Sequence, residues 1–380
     1  MHIEFDAGPL INDRITGIGW CEIGQTSAMT RIHPENTYSY SFFTSGKSSR
    51  EERVKEFAGD TIALNGSSFS GYLYRAASTF LPLPYSAFFG KKADVTHFFN
   101  YIVPPFVSGK KVVTVHDMVY KAFPETVRGR TKFMLNTGLK KSMKRADIIV
   151  TDSEFSKSEI LKYFPQHSGK IRVVPCGVDT EKFRPCEDME RISQVKTSLG
   201  IEGDYFLYVG TIEPRKNLGR LILAYNALAK KLPDAPKLVL AGGKGWLCDD
   251  IYAKVTELHL EDKVIFTKYV PSEDMNPLMC GALAFVFPSI YEGFGMPPLE
   301  AMACGVPVLT TGEASLPEVT GDCAVICDAY SPKSIAEGLY RLCRDEKLRL
   351  ELSRRGLERA KQFTWERSAE ALHKIYKELV

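Results

Sequence analysis

The sequence predicts an α/β protein built on parallel sheets in two domains. Short apolar runs alternate with stretches of helical periodicity along the whole chain, an order that is typical of parallel sheets covered by helices. With 380 residues the chain is long enough for two or three domains of ordinary size. Because 44% of the residues are hydrophobic and 25% are charged, each domain can bury a sizeable core.

The first half of the chain supplies the elements of one such domain. Helices are predicted at 20–31 and at 152–163, the second with Ser153 as its N-cap. The polar stretch 45–71 is predicted to form loops around one short helix. Strands are predicted at 2–6, 38–43, 95–99, 111–115, 146–151 and 171–175.

A change in composition separates the two halves. Residues 186–203 are polar and charged, and we interpret them as the linker between the domains, followed by a short helix. The second half ends in helices at 332–343 and 345–361 and in a last helix that starts at 363–366. Its strands are predicted at 205–211, 237–241, 264–266, 282–287, 307–309 and 323–327.

Charge and composition exclude several classes of protein. The formal net charge of +3 gives no argument for nucleic-acid binding. No apolar run approaches the roughly 20 residues that cross a bilayer, and no signal peptide precedes the first strand, so we expect a cytoplasmic protein. The nine cysteines lie singly, without the spacing of a zinc site, and are expected to be reduced and metal-free.

The stretch 282–309 carries the strongest local pattern. A buried strand ends at Pro288, a turn with Gly293 and Gly295 follows, and Pro298 is predicted to begin a helix. Such a turn directs helix N-terminal N–H groups at a ligand beside the sheet. Glu292 and Glu300 lie in the loop and the first helical turn, where a carboxylate can stay ionised and accept hydrogen bonds from hydroxyls. The alternative is that Glu300 caps its own helix and that Glu292 is a solvated loop residue.

Two further loops lie between a strand and a helix. The first contains Gly17 and Gly19, but Glu22 stands where a dinucleotide fingerprint needs a third glycine. This loop therefore predicts either a contact with a phosphate or sugar or a plain tight turn. The second carries Arg215 and Lys216, which can grip a phosphate with paired N–H bonds and a compact charge. The alternative for the second loop is a solvated helix start.

His116 follows directly after a predicted buried strand. A side chain at that position lies at the carboxyl edge of a parallel sheet, where ligands bind in open α/β folds. His259 and His373 have no such placement and are interpreted as surface or core residues. His116 is therefore a candidate functional residue.

Taken together, these motifs resemble a known enzyme family. Glu-Gly-Phe-Gly-Met-Pro-Pro-Leu-Glu at 292–300 is similar to the signature of the retaining glycosyltransferases of family 4, and matching segments run through nearly the whole chain. The resemblance implies the GT-B fold, two Rossmann-like parallel-sheet domains that face each other across a cleft. It also implies an acceptor-side domain at 1–185, onto which 364–380 crosses back, and a nucleotide-sugar-binding domain at 186–363.

The resemblance also implies the roles of single residues. The segment after Val209 would place Arg215 and Lys216 on a departing nucleoside diphosphate. In the signature at 292–300, Glu300 would bind the ribose. The implied catalytic residues are His116, Arg215, Lys216 and Glu292. The implied donor-binding residues are Gly17, Gly19, Gly210, Arg215, Lys216, Tyr269, Val270, Phe294, Gly295, Met296, Leu299 and Glu300. No metal ligand is implied, since no Asp-x-Asp occurs in the chain.

The implied reaction is the transfer of a hexose with retention at the anomeric carbon. The resemblance favours GDP-mannose over a UDP-hexose as the co-substrate, with no separate cofactor, and a glycan or lipid-linked acceptor in bacterial-type polysaccharide synthesis. An enzyme such as an epimerase would convert the donor without an acceptor. A non-catalytic protein that binds sugar nucleotides is the alternative from another class.

The most basic region of the chain is 121–145. Eight lysines and arginines stand there against Glu125, interleaved with apolar residues at roughly helical spacing. Such a helix could rest on an anionic membrane surface, at the inner face of the membrane, where a lipid-linked acceptor would wait. The alternative is an ordinary amphipathic helix that packs its apolar face on the sheet.

Overall fold

Each half of the chain folds around its own parallel sheet. The computed structural model describes residues 1–81, 83–90 and 93–380, apart from the side chains of residues 75, 76, 79 and 80. The first unit consists of 1–122, 129–177 and 365–380, and the second unit of 123–128 and 178–364. The units therefore meet in the chain at 177/178, where we had predicted 185/186, and the short segment 123–128 belongs to the second unit. Two Rossmann-like parallel-sheet units confirm the predicted fold class.

The first unit contains a sheet of seven parallel strands in the order β3-β2-β1-β4-β5-β6-β7. The order reverses beside β1, since β2 and β3 lie on one side of it and the later strands on the other. Ligands of open α/β sheets bind at such a switch point, at the carboxyl ends of the strands. The strands are β1 His2–Asp6, β2 Thr37–Phe43, β3 Ile62–Ser67, β4 Val95–Phe98, β5 Lys110–Thr114, β6 Ile148–Thr151 and β7 Ile171–Val173.

Within the described residues, seven α-helices of the first unit precede the crossover to the second. Ser153 caps the last of them as predicted, because the Ser156 N–H donates to its Oγ at 3.0 Å. The stretch 45–71 contains an edge strand, β3, as well as the expected helix, and our loop prediction was wrong there because an edge strand carries a weak apolar pattern. The helices are α1 Gly17–Ile32, α2 Ser48–Ala58, α3 Gly71–Phe80, α4 Ser86–Phe89, α5 Val119–Ala122, α6 Gly129–Arg145 and α7 Glu154–Tyr163.

The second unit contains a sheet of six parallel strands in the order β10-β9-β8-β11-β12-β13. The order reverses between β8 and β11, so the loops that follow these two strands lie at the switch point of this sheet. The strands are β8 Tyr205–Val209, β9 Lys237–Ala241, β10 Val264–Lys268, β11 Ala284–Phe287, β12 Val308–Thr311 and β13 Ala324–Cys327.

Helices cover both faces of this second sheet. The predicted linker 186–203 is wrong in one respect, because α8 lies inside it and buries Ile192 and Val195. Its polar residues are the exposed face of an amphipathic helix. The helices are α8 Met189–Ser198, α9 Leu218–Lys231, α10 Asp249–Glu257, α11 Ser272–Cys280, α12 Met296–Ala303, α13 Leu316–Thr320, α14 Pro332–Arg344 and α15 Glu346–Ala360.

The last helix, α16 (Trp365–Leu379), belongs to the first unit although it follows the second in the chain. It packs on α1, where Gln25 Nε2 donates to Ser368 Oγ at 2.9 Å. Its apolar face, with Leu372 and Tyr376, is buried in the core of that unit. A C-terminal segment is ordered when buried side chains tie it to the domain, so we expect these contacts to stabilise the first unit.

Leu372→Ala tests this role of α16. We expect the substitution to lower the free energy of unfolding of the first unit by about 2–5 kcal/mol, because it leaves a cavity in a packed core. Lys374→Ala, an exposed position on the same helix, should change it by less than about 0.5 kcal/mol. Urea denaturation followed by circular dichroism measures both variants, and equal stability of the two would contradict the assignment.

Candidate active site

Two loops of the second unit converge at the switch point of its sheet. The loop after β8 and the loop after β11 are joined where the Ile290 N–H donates to the Arg215 carbonyl at 3.0 Å. Asn217 closes the first loop in the left-handed region, with φ of 62°. Its buried side-chain amide donates to the carbonyls of Pro288, at 3.0 Å, and Ala329, at 2.6 Å. These bonds hold the two loops in one fixed arrangement.

Glu292 is held by the two cations of the neighbouring loop. Its Oε2 accepts from Arg215 Nη1 at 2.7 Å, and its Oε1 accepts from Lys216 Nζ at 2.6 Å. Arg215 Nε also contacts Glu213 Oε1 at 2.7 Å. Sequence reasoning named Arg215, Lys216 and Glu292, and the structure brings these three side chains together. Sequence reasoning missed Glu213, a buried residue in the same loop after β8.

Burial and charge together set the ionisation of this cluster. Burial alone would raise the pKa of Glu292, but the charges of Arg215 and Lys216 outweigh it and lower the pKa to about 2. Burial, and next the charge of Arg215, lowers the pKa of Lys216. In this cluster the basic side chains of Arg215 and Lys216 face the acidic side chains of Glu213 and Glu292.

The N-terminus of α12 lies directly after this loop. Gly295 has φ of 110°, and a Cβ there would meet Leu316 Cδ2 at 2.9 Å, so the turn requires glycine. The N–H groups that a helix leaves unbonded at its start include that of Met296 here, since the next two residues, Pro297 and Pro298, carry no N–H. Because the Leu299 side chain is fully buried, it could reach a ligand only through its backbone.

Ser315 fixes the backbone of the glycine turn. Its buried Oγ donates to the Glu292 carbonyl at 3.0 Å and lies 2.7 Å from the Phe294 carbonyl oxygen. Sequence reasoning missed this residue, because a single serine twenty-three positions away in the chain carries no local signal. Phe294 itself is buried, so its backbone rather than its ring defines the turn.

Glu300 differs from Glu292 in its ionisation. Burial raises the pKa of Glu300 to about 7, against a smaller opposing effect of Lys182. We had expected that a carboxylate at this helix start can stay ionised, but for Glu300 the desolvation outweighs the favourable charges. Near neutral pH it exists in both forms, as a donor when protonated and an acceptor when ionised.

The remaining predicted donor-binding residues of the second unit lie at strand ends. Gly210 follows β8 with φ of 151°. Tyr269 follows β10 and is 55% exposed, whereas Val270 beside it is buried. An exposed ring and its neighbouring backbone can contact a nucleobase at this edge of the sheet.

In the first unit, the predicted glycine loop opens α1. Gly17 is exposed at the first helical position, so its N–H can reach a ligand. Gly19 is buried, and a Cβ on it would meet Ile15 Cγ2 at 2.7 Å. The geometry therefore gives the two glycines different tasks, a ligand contact for the first and close packing for the second.

His116 is buried in the first unit with both ring nitrogens bonded. Nδ1 lies 2.6 Å from Asp152 Oδ2, and Nε2 lies 2.8 Å from the Phe99 carbonyl oxygen. Burial would lower the pKa of His116, but the charge and hydrogen bond of Asp152 raise it to about 9. At neutral pH the ring is therefore an imidazolium that donates from both nitrogens. Sequence reasoning missed Asp152, which it took for a helix start.

The basic helix α6 turns its apolar residues inward. Leu135, Leu139 and Met143 are buried, as the packing alternative required. Phe133 is 65% exposed, and Lys140 and Lys144 are exposed as well. Within 1–81, 83–90 and 93–380, we find no helix whose length and apolar character would suffice to cross a membrane.

Comparison with known proteins supports the resemblance noted in the sequence. Residues 38–182 match the model for glycosyltransferase family 4, and residues 192–359 match the model for glycosyl transferases group 1. O-antigen chain mannosyltransferase B of Escherichia coli is 36% identical over 271 residues, which are 70% of this chain and 70% of that protein.

Two further proteins extend the comparison. The serotype-specific mannosyltransferase WbdA of Escherichia coli is 29% identical over 69% of this chain, but the match spans only 33% of that longer protein. The crystal structure of Anabaena HepE in complex with UDP and glucose superimposes with a TM-score of 0.73 at 16% identity and covers 100% of both chains. At that identity the likeness concerns the fold alone.

Glu292→Gln tests the charge balance of the second-unit cluster. The pKa of Glu292 is lowered on folding, so its ionised form stabilises the protein above pH 4.5, and this contribution is lost as the pH falls to about 2. We expect the free energy of unfolding of wild type to exceed that of the variant by on the order of 3 kcal/mol at pH 7. The difference should shrink below pH 4.5 in urea denaturation. The exposed Glu187→Gln is the control, and a gap independent of pH would contradict the interpretation.

Proposed function

Because this chain belongs to family 4 of the glycosyltransferases, we propose that it transfers mannose from GDP-mannose to a hydroxyl of a glycan or glycolipid acceptor, with retention at the anomeric carbon. The observation that carries the proposal is the Glu292 carboxylate held by Arg215 and Lys216 beside the N-terminus of α12. This group offers cations for a diphosphate and a carboxylate for sugar hydroxyls within one pair of loops.

Binding of the donor would redistribute the charges of this cluster. A diphosphate carries more negative charge than one carboxylate, so it would compete with Glu292 for Arg215 and Lys216. Glu292 would then keep fewer of its present hydrogen bonds and could accept bonds from the sugar hydroxyls instead. The cations would stabilise the diphosphate as it leaves and the sugar carbon gains positive character.

The start of α12 would hold the rest of the donor. The Met296 amide and the turn at Phe294 and Gly295 suit the phosphate oxygens, and Leu299 would contribute only its backbone. Glu300 would bind the ribose hydroxyls, and its pKa near 7 predicts that this contact changes character around neutral pH. We propose that Gly210, Tyr269 and Val270 make the remaining contacts with the donor. Tyr269 and Val270 would contact the nucleobase.

We propose roles for two places in the first unit as well. The Gly17 amide would donate to the diphosphate or the sugar, and Gly19 would keep α1 close enough to Ile15 for that loop to form. His116 would act as a fixed positive charge rather than as a base, since Asp152 keeps it protonated. A direct contact with the sugar would require Nε2 to leave the Phe99 carbonyl.

In the proposed mechanism the phosphate departs and the acceptor hydroxyl attacks on the same face of the sugar. The departing phosphate would take the proton of the acceptor hydroxyl as that oxygen bonds to the anomeric carbon, so no protein nucleophile is needed. We also propose that the reaction needs no added Mg²⁺ or Mn²⁺, because Arg215 and Lys216 supply the positive charge. A covalent sugar–protein adduct trapped during turnover would contradict this mechanism.

The choice of mannose is supported by the relatives, two of which are named mannosyltransferases at 36% and 29% identity. A UDP-hexose is the alternative donor. The acceptor is proposed from the same relatives, as a growing bacterial polysaccharide or its lipid-linked precursor.

The exposed face of α6 suits a peripheral contact with a membrane that holds such an acceptor. Charge reversal in Lys140→Glu/Lys144→Glu should weaken binding to vesicles with anionic lipids by at least about fivefold per lysine, since each lysine near the surface contributes about 1 kcal/mol and a glutamate in its place is repelled. Co-sedimentation measures the binding, and Lys333→Glu, an 88% exposed lysine of the second unit, is the control. Equal binding by all three proteins would exclude this face.

A panel of nucleotide sugars tests the donor. We expect purified protein to hydrolyse GDP-mannose slowly and to release GDP, with faster release when a polysaccharide acceptor is added. Turnover of a UDP-hexose instead would identify the alternative donor. Conversion of the donor without acceptor or nucleotide release would indicate an epimerase, and binding without any turnover would indicate a non-catalytic protein.

Substitutions at the cluster test its part in the reaction. Lys216→Met and Glu292→Gln should each lower kcat by about 10²–10³, the usual loss when one group that stabilises transition-state charge is removed. Lys333→Met is the matched control for lysine and should keep wild-type turnover. Unchanged kcat in folded Lys216→Met protein would remove the cluster from the mechanism.

A further inference from the structure

Two aromatic pairs flank the glycine turn, residues 291–295. The Phe123 ring packs edge-on against the Tyr291 ring, with 5.5 Å between the ring centres and 63° between the ring planes. On the other side of the turn, the Phe363 ring packs edge-on against the Phe294 ring, at 5.9 Å and 68°. Tyr291 and Phe294 are buried, and edge-to-face packing of aromatic rings is attractive. The turn is therefore held on both sides by rings that come from distant parts of the chain.

The two outer rings lie next to places where the chain passes between the units. Phe123 is the first residue of the segment 123–128, which belongs to the second unit although α5 before it and α6 after it belong to the first. Phe363 directly precedes Thr364, the last residue of the second unit. Its carbonyl accepts from the N–H of Val178, the residue with which the chain enters that unit, at 3.0 Å. The glycine turn is therefore in contact with segments that connect the second unit to the rest of the chain.

The segment 123–128 is also fixed to the second unit at its other end. Trp246 Nε1 donates to the Thr126 carbonyl at 2.6 Å, and the Arg128 guanidinium lies 4.7 Å from the centre of the Trp246 ring. Trp246 lies in the loop after β9, whereas Tyr291 lies in the loop after β11. One segment therefore contacts two loops at the carboxyl edge of the second sheet, the edge on which the candidate active site lies.

The backbone of Tyr291 connects the first aromatic pair to the ion pair of Glu292. Arg215 Nη1 donates to the Tyr291 carbonyl at 2.9 Å and to Glu292 Oε2 at 2.7 Å. A shift of Tyr291 would therefore disturb both bonds, because their acceptors belong to consecutive residues. Residues 288–295 lie outside helix and strand, so contacts with other segments rather than a regular backbone ladder fix their position.

We propose that Phe123 and Phe363 are positioning residues, which hold the glycine turn in the arrangement in which Arg215 bonds Glu292. This role depends on the proposed function, in which the cluster binds the diphosphate and the sugar of the donor. Neither ring needs to touch the donor, because each acts through the turn residue that it packs against. Both rings lie outside the motif at 292–300, so they are determinants of the reaction that this motif does not contain.

The pH dependence of stability separates positioning from packing. If Phe123→Ala lets Arg215 move away, the pKa of Glu292 rises from about 2 towards its ordinary value of 4.5. Glu292 then contributes less of the stability that is present above pH 4.5 and is lost as the pH falls to about 2. The urea midpoint of the variant should therefore lie further below that of wild type at pH 7 than at pH 3. A gap of equal size at both pH values would indicate packing alone and would overturn the proposal.

Turnover tests the same residues in the reaction. Phe123→Ala and Phe363→Ala should each lower kcat by roughly 10- to 100-fold, since a misplacement of about 1 Å can cost about 100-fold. Phe123→Tyr keeps the ring and should retain wild-type kcat and the wild-type urea midpoint at both pH values. Phe106→Ala, which removes a 63% exposed phenylalanine of the first unit, is the matched control and should leave kcat unchanged.

The two measurements distinguish failure of the positioning role from failure of the proposed function. Wild-type kcat in either folded alanine variant would overturn the role of that ring and leave the proposed function intact. If wild type itself transfers no sugar, the proposed function fails, and the pH dependence of the urea midpoint still decides whether Phe123 holds Arg215 on Glu292.

Discussion

The structure of the second unit depends on one buried carboxylate. Glu292 lies in a glycine turn that has little regular structure of its own, and Arg215 and Lys216 from another loop fix its position. Removing either partner would leave a buried charge uncompensated, which is far more costly than the loss of a surface ion pair. The interaction therefore sets the relative positions of the loops after β8 and β11, and Asn217 and Ser315 reinforce it from both sides.

The same interaction suits a site that must accept and release an anion. A cluster in which Arg215 and Lys216 already bond Glu292 is stable without a ligand, and a diphosphate can enter it by taking over these hydrogen bonds. Glu300, one helical turn into α12, has the opposite character, since burial keeps it near its titration point at neutral pH. The two glutamates of one motif thus differ because Glu292 is bonded to two cations, whereas the effect of Lys182 on Glu300 is smaller than that of burial.

The first unit contains a comparable buried pair in His116 and Asp152. Here the carboxylate keeps the ring charged, and the bond of Nε2 to a backbone carbonyl holds its orientation. Both units therefore place a buried ion pair at the carboxyl ends of their strands. In the first unit the thiol of Cys21 also lies beside the pair.

The sequence by itself determined the α/β class, most strands and helices, and the grouping of Arg215, Lys216 and Glu292, because apolar periodicity and glycine turns are local signals. It did not reveal β3 or α8, whose solvated faces weaken that periodicity, nor the exact residue at which the units divide. Only the tertiary structure decided that Glu300 is partly neutral, that Asp152 and Cys21 lie beside His116, and that Ser315 holds the glycine turn. Burial and contacts between residues far apart in the chain set these properties, and no local pattern records them.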